Sequence, residues 1–525
     1  MKLSGLSDSK STYVIAIALF SGAVFAYSYN LEGQPWHGDE VTYLGWGANY
    51  VHLVAKGDFG NPCLVSLDKC NDLFHIPAFG LTYSPIRNLM VGIPMYLAGQ
   101  DSGNFYNWSC YWDCYKSHEG PTIAEMTAGR LLSPILGSLG VVLAFLVGKS
   151  LFNRTYGILA SVLFLFYDLW VWYSREIMVE IHYVFFALLS VFLLLCSLRD
   201  GRVKTTYFVA SALVFGLSLN SKLLAVCFSG LFFAIMLTRF LSTTVSGKPG
   251  RKKVGRAGLL LVSFFALGLV GMFLAQPGFY QNPVAEIKLV KSDMDNYNRD
   301  VWYIGYPTGQ NLQPKSIGAL LHFAVFPNFI ETQIAKPSDS LSGNYGWTYP
   351  PTYSTIPMSV LFFAGLGFLA YRISRTRRLF SSELVLIIWI ASTLVFTLVI
   401  VKDFSLERYL LPLELSMIFI SAYGAWGFAA GISNNKLRLG FLSFFLLVHS
   451  LTSLSYYDKI YFSPGTTWVN PLHYGTLQDS MDNPYVFAAN VSFILVFAFI
   501  AASRFLRRNA EKPDINSTAR QDLKR

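Results

Sequence analysis

Charge is what this sequence has least of. Only 14% of its 525 residues are Asp, Glu, Lys or Arg, against about 25% in ordinary soluble domains. A chain that is also 53% hydrophobic and 16% aromatic cannot clothe a water-facing surface. That excludes a soluble globular enzyme and a disordered chain. Gly and Pro, at 41 and 22 residues, are too few for a low-complexity protein. There is no P-loop, no dinucleotide-binding glycine motif and no internal repeat of the kind that builds inverted-repeat transporters, and the acids that gather beside the apolar runs form no clear DxD. A net charge of +10 would suit nucleic acid, but the basic residues sit between apolar spans, so no nucleic-acid partner is expected.

What the chain does have is a series of about twelve apolar runs, near 12–29, 128–148, 156–172, 181–198, 206–220, 223–241, 257–275, 355–371, 383–401, 409–431, 438–455 and 486–503. Each approaches the roughly 20 residues that carry a helix across a bilayer. Lys and Arg collect in alternate connections: Lys2 and Lys10, Lys149 and Arg154, Arg199 to Lys204, Lys248 to Arg256, Arg372 to Arg378, Lys436 and Arg438, and Arg504 to Arg508. The positive-inside rule makes these cytoplasmic. Both termini then lie inside, and the protein is an all-α polytopic membrane protein of the cell membrane. The first run could also be read as a signal peptide, with Lys10 before it and Val24-Phe25-Ala26 as a weak cleavage site; a retained span is the preferred reading.

Two long connections fall on the outer side, 30–127 and 276–354, with a shorter third near 456–485. Ordered loops of that length are usually functional. The expected division is a catalytic membrane region over 1–455, the third outer loop and last span over 456–508, and a disordered cytoplasmic tail over 509–525. Four of the six cysteines, Cys63, Cys70, Cys110 and Cys114, share the first outer loop. That points to two disulfides in an oxidising compartment, with the connectivity open, rather than to zinc, for which the spacings are poor. Cys196 and Cys227 lie in apolar runs and read as small hydrophobes.

Ionisable residues gather where the apolar runs meet the outer side. His37-Gly38-Asp39-Glu40 follows the first run directly. The two acids are either working groups or first-turn acids stabilised by the dipole of a loop helix. Trp172 to Glu180 fills the short outer turn before the fourth run. Glu176 and Glu180 there are four apart, as on one face of a helix, and Arg175 is either a fixed cation or a snorkelling one. Lys222 stands on the outer side, against the inside bias, and can meet lipid headgroups or an anionic ligand. Arg408 and Tyr409 open the tenth run, a dipole-unfavourable place for a cation unless it holds a phosphate. Tyr345, Trp347 and Tyr349 read as an interfacial aromatic belt in preference to a sugar-stacking platform. Carboxylates to take a proton and cations to receive a departing phosphate suit group transfer from a lipid-linked, phosphate-activated donor.

At these residues the sequence resembles the GT-C superfamily of membrane glycosyltransferases, in the branch of the protein O-mannosyltransferases and the bacterial lipid A aminoarabinose transferase. The resemblance rests on Asp39-Glu40 after the first run, Leu81-Thr82-Tyr83-Ser84-Pro85 where the family often shows His-Pro-Pro-Leu, and Ala128-Gly129-Arg130-Leu131-Leu132-Ser133. It continues with Ser174-Arg175 and Glu180, Gly216-Leu217-Ser218 with Lys222, and Arg408-Tyr409-Leu410-Leu411-Pro412. It implies a GT-C fold with about twelve spans and two long outer loops. It also implies an inverting transfer of a sugar from a polyprenyl- or dolichyl-phosphate donor to a hydroxyl of a protein, lipid or glycan acceptor on the outer face. Asp39 is then the base, supported by Glu40, with Glu180 as the second acid. Arg175, Lys222, Arg408 and Tyr409 face the donor phosphate, with His75 and Arg87 as weaker candidates. No cofactor is expected, and a divalent metal is not favoured. A secondary transporter or lipid flippase is the alternative; it would carry its charges near mid-membrane in repeated halves.

Overall fold

The computed structural model describes residues 7–33, 38–59, 61, 64, 84–99, 122–198, 203–242, 251–277, 280, 284, 288, 355–376, 381–400, 410–456 and 484–510. Among them the regular structure is helical, with no strand. Every apolar run of the sequence coincides with one or two helices. In chain order these are α1 (Ser7–Ser28), α2 (Gly38–Ala55), α3 (Pro85–Leu97), α4 (Ile123–Arg130), α5 (Leu132–Leu151), α6 (Arg154–Leu165), α7 (Asp168–Tyr173) and α8 (Val179–Ser197). They continue with α9 (Thr205–Ser221), α10 (Ser229–Ser242), α11 (Arg251–Leu274), α12 (Ile356–Thr376), α13 (Ser382–Ile400), α14 (Leu411–Ala430), α15 (Asn435–Tyr456) and α16 (Pro484–Ala510). A 3₁₀ turn over Leu223–Phe228 leads into α10.

Seven of the described helices are long and apolar enough to cross a membrane, and four shorter apolar helices accompany them. The chain is an integral, multi-pass membrane protein. Its inner helices pack through small residues and polar glue, as expected where lipid provides no hydrophobic contrast. Gly424 of α14 lies so close to α12 that a Cβ there would meet the Leu361 carbonyl. Ser190 of α8 and Ser211 of α9 each donate to the other's carbonyl at 2.7 Å. α14 is buried along nearly its whole length. α1 and α11 instead turn apolar side chains outward, among them Tyr13, Val14, Ile17, Leu259 and Val262.

Within the first long connection, α2, α3 and α4 form a unit of their own. Leu44, Val91, Met95 and Met126 make a small core with Ile177, from the turn before α8. Gly47 of α2 and Gly92 of α3 let the two backbones touch, since a Cβ on Gly92 would collide with the Gly47 carbonyl. α4 starts on a capping box, with the Thr122 hydroxyl accepting from the Glu125 amide and the Glu125 carboxylate accepting from the Thr122 amide.

The expectation that Glu176 and Glu180 share one helix face does not hold. Residues 174–177 form a turn, Met178 is extended (φ −116°, ψ 139°), and α8 begins only at Val179. An extended residue between the two acids breaks the 3.6-residue period that the spacing presupposed.

Candidate functional site

The site is built where helix ends meet. α2 begins at Gly38, so Asp39 and Glu40 are first-turn residues. Of Asp39 only its backbone place in that turn is described. Glu40 is fully buried. Its Oε1 accepts from Arg130 Nε and from the Ile177 amide, both at 2.8 Å, and its Oε2 accepts from Arg130 Nη2 at 2.5 Å. Arg130 also donates through Nη1 to the Leu31 carbonyl at 3.3 Å. The Ile177 amide lies three residues before Glu180.

Glu180, in the first turn of α8, is fully buried and pairs with Lys222, whose Nζ stands 2.6 Å from Glu180 Oε1. Lys222 follows the last residue of α9 in an extended conformation (φ −159°, ψ 129°), which carries its side chain back toward α8. The Nζ also lies 6.0 Å from the centroid of the Tyr183 ring. Residues 42 positions apart, proposed from sequence as acid and cation, are thus brought into direct contact.

α3 closes the arrangement. The Ser84 hydroxyl donates to the Ser221 carbonyl, and the Ile86 amide donates to Asn220 Oδ1 at 3.3 Å, so α3 starts beside the Lys222 turn. One residue on, Arg87 is buried with its guanidinium 4.0 Å from the Tyr43 ring centroid and 5.3 Å from that of Trp46, both of α2. Its Nη2 donates to Asn88 Oδ1 at 2.8 Å. The start of α2, the start of α8, the Lys222 turn and the start of α3 therefore form one circuit of polar contacts.

Arg175 is placed elsewhere. It is fully buried and donates to the carbonyls at the end of α1: Nη1 to Tyr29 at 2.8 Å and Tyr27 at 3.1 Å, Nη2 to Asn30 at 3.0 Å. A cation at a helix C-terminus satisfies orphan carbonyls and matches the dipole, so Arg175 is fixed in the interior and does not snorkel to lipid. His75, Arg408, Tyr409 and the four cysteines of the first loop lie outside the described residues. Cys196 and Cys227 form no disulfide. Among the described residues no group of three or more His, Cys, Asp or Glu side chains is gathered as a metal site.

Two features went unread in the sequence. Arg130 stands in the Ala128–Ser133 stretch, where the signal for a role is a lone Arg at the head of an apolar run. The second is a buried polar cluster joining Asp168 Oδ1 to the Ser453 hydroxyl at 2.6 Å and Asn490 Nδ2 to the Thr452 hydroxyl at 3.0 Å. Nothing in the sequence spacing links those positions.

Residues 123–270 match the model of the family described as dolichyl-phosphate-mannose-protein mannosyltransferase. Two solved structures of ArnT from Cupriavidus metallidurans align with the chain. The apo form has 14% identity, covering 93% of this chain and 76% of that one, with a TM-score of 0.46. The form bound to undecaprenyl phosphate has 15% identity, covering 92% and 75%, with a TM-score of 0.44. The oligosaccharyltransferase AglB from Archaeoglobus fulgidus, in complex with an inhibitory peptide and a dolichol-phosphate, aligns at 13% identity over 87% of this chain and 60% of its own, with a TM-score of 0.43. No curated protein matches. Over the segment that runs from α4 through most of α11 and carries Arg130, Glu180 and Lys222, the chain is similar to the dolichyl-phosphate-mannose-protein mannosyltransferases.

Proposed function

We propose that this protein is a membrane glycosyltransferase that moves a sugar from a polyprenyl- or dolichyl-phosphate donor to an acceptor hydroxyl at the outer membrane face, with inversion. The carrying observation is the buried Glu180–Lys222 pair, set at helix ends beside the first turn of α2 and the Arg87 helix, inside the segment that matches the mannosyltransferase family. Paired opposite charges at the mouth of an apolar bundle mark a place where a charged group is handled. The family match supports reading that group as a lipid phosphate.

In the reaction, the acceptor oxygen attacks the anomeric carbon, the bond from that carbon to the phosphate oxygen breaks, and the acceptor proton passes to a carboxylate. Asp39 is the base in this reading, at the start of the helix that Glu40 fastens to the α8 turn. Lys222 meets the charge left on the lipid phosphate, and Arg408 with Tyr409, at the approach to α14, and Arg87 are its further candidate partners. Glu180 orients Lys222 and stands near the sugar. Both termini are cytoplasmic, and the four loop cysteines form two disulfides on the outer side.

The test uses the purified protein in lipid nanodiscs with radiolabelled sugar on a polyprenyl phosphate, offered peptide, glycan and lipid acceptors. Wild type transfers label. Asp39→Asn loses about 10²–10⁴-fold in kcat, the usual worth of a general base. Transfer by Asp39→Asn at the wild-type rate removes Asp39 from the mechanism. Passage of the intact donor across the bilayer, without transfer, would instead make the protein a flippase.

A further inference from the structure

We infer that Arg130 and Glu40 are positioning residues that set the base-bearing turn of α2 against the Glu180–Lys222 pair, and that Glu40 is not itself a second base; the inference rests on the function proposed above. Glu40 is held from two sides. Arg130, the last residue of α4, grips it in a two-pronged pair through Nε and Nη2, and the Ile177 amide donates to the same carboxylate. Three N–H donors take up most of the roughly four acceptor positions of a carboxylate, which leaves Glu40 poorly placed to receive a proton from a bound hydroxyl.

The same three contacts define a joint. Glu40 is the residue after Asp39, and Ile177 is three residues before Glu180. Fixing Glu40 to Ile177 therefore fixes the backbone of one acid relative to the start of the helix that carries the other. Arg130 locks the joint from a third element, and its Nη1 reaches the Leu31 carbonyl ahead of α2. The joint is also dry. Ile177 packs with Leu44, Val91, Met95 and Met126, and Gly129 offers no side chain where Leu44 and Ile177 close in. Glu40 is 0% and Arg130 2% exposed, so the pair works in a low-dielectric setting where charge-assisted bonds are short and directional. Lys in place of Arg130 would keep the charge but lose the planar fork.

The experiment measures donor kinetics of Arg130→Gln, Arg130→Lys and Glu40→Gln in nanodiscs, with hydrogen-exchange mass spectrometry on the same preparations. Arg130→Gln is expected to lower kcat on the order of 100-fold, as for a displaced catalytic group, with donor KM within about threefold. Arg130→Lys should fall between Arg130→Gln and wild type. Peptides over 38–47 and 174–182 should exchange faster together. A folded Arg130→Gln protein with wild-type kcat, whatever its melting temperature, overturns the inference by reducing the pair to a structural brace. If Arg130→Gln does not fold, Glu40→Gln and Arg130→Lys are judged by the same readouts. If wild type itself transfers no sugar, the proposed function fails first. The exchange data then decide the joint alone: loosening of both peptides upholds it, and loosening of neither or only one refutes it.

Discussion

At the scale of single residues, the Glu180–Lys222 contact has a stability consequence separate from any chemistry. Removing one partner of a buried ion pair strands the other and costs about 3–5 kcal/mol, whereas removing both costs far less. Lys222→Met should therefore lower the melting temperature more than the double variant Lys222→Met with Glu180→Gln. Equal losses in differential scanning fluorimetry would show that Glu180 is not stranded by the single change. Sequence reading found both residues, one as an acid at the mouth of the bundle and one as a Lys on the side where Lys is scarce. It did not find their pairing, because nothing in a separation of 42 positions states that α9 ends beside the start of α8. Arg175 shows the opposite limit. It was legible as a cation of the outer turn, fixed or snorkelling, but it donates to backbone carbonyls in the last turn of α1 and just beyond it, and a carbonyl has no sequence signature.

At the scale of elements, the first long connection is where reading stopped. Composition marked 30–127 as a loop because α2, α3 and α4 are too short or too mixed to register as spans, yet they pack into a unit with its own core. Their closest approach is testable. Gly92→Ala places a methyl against the Gly47 carbonyl, so α2 and α3 must separate. The expected loss is about 1–3 kcal/mol, as for overpacking elsewhere, with a parallel fall in transfer rate because α2 carries Asp39. Gly22→Ala, on α1 where a Cβ meets nothing within 4 Å, is the control and should leave both unchanged. The run at 156–172 was read as a single span. It divides into α6 and α7 at Phe166 and Tyr167, the latter extended (φ −80°, ψ 123°) ahead of the buried Asp168. Aromatic residues on both sides of that break keep the hydropathy high and conceal it.

At the scale of the whole molecule, hydropathy and the Lys/Arg alternation were enough to place the apolar runs, since a helix in lipid must satisfy its own backbone and has few alternatives. The side each loop faces is a prediction of that alternation. Cysteines introduced singly near residue 10 and near residue 508 should both be shielded from a membrane-impermeant maleimide in intact cells, and one introduced near residue 32 should react. Labelling of the first pair, or protection of the third, would invert the topology and remove the site from the outer face.

α1 ties this picture to biosynthesis. The Tyr27 carbonyl in its last turn and the Tyr29 carbonyl just beyond it accept from Arg175, and the Tyr27 hydroxyl donates to the Leu165 carbonyl at 2.9 Å. A peptidase that cut after Ala26 would leave Tyr27, Tyr29 and Asn30 attached, but it would strip away the helix body that holds those acceptors in place, including the fully buried Ala23. On that ground the first hydrophobic segment is expected to stay in place as a wall of the bundle. Intact-mass measurement of the purified protein should find residues 7–28 still attached.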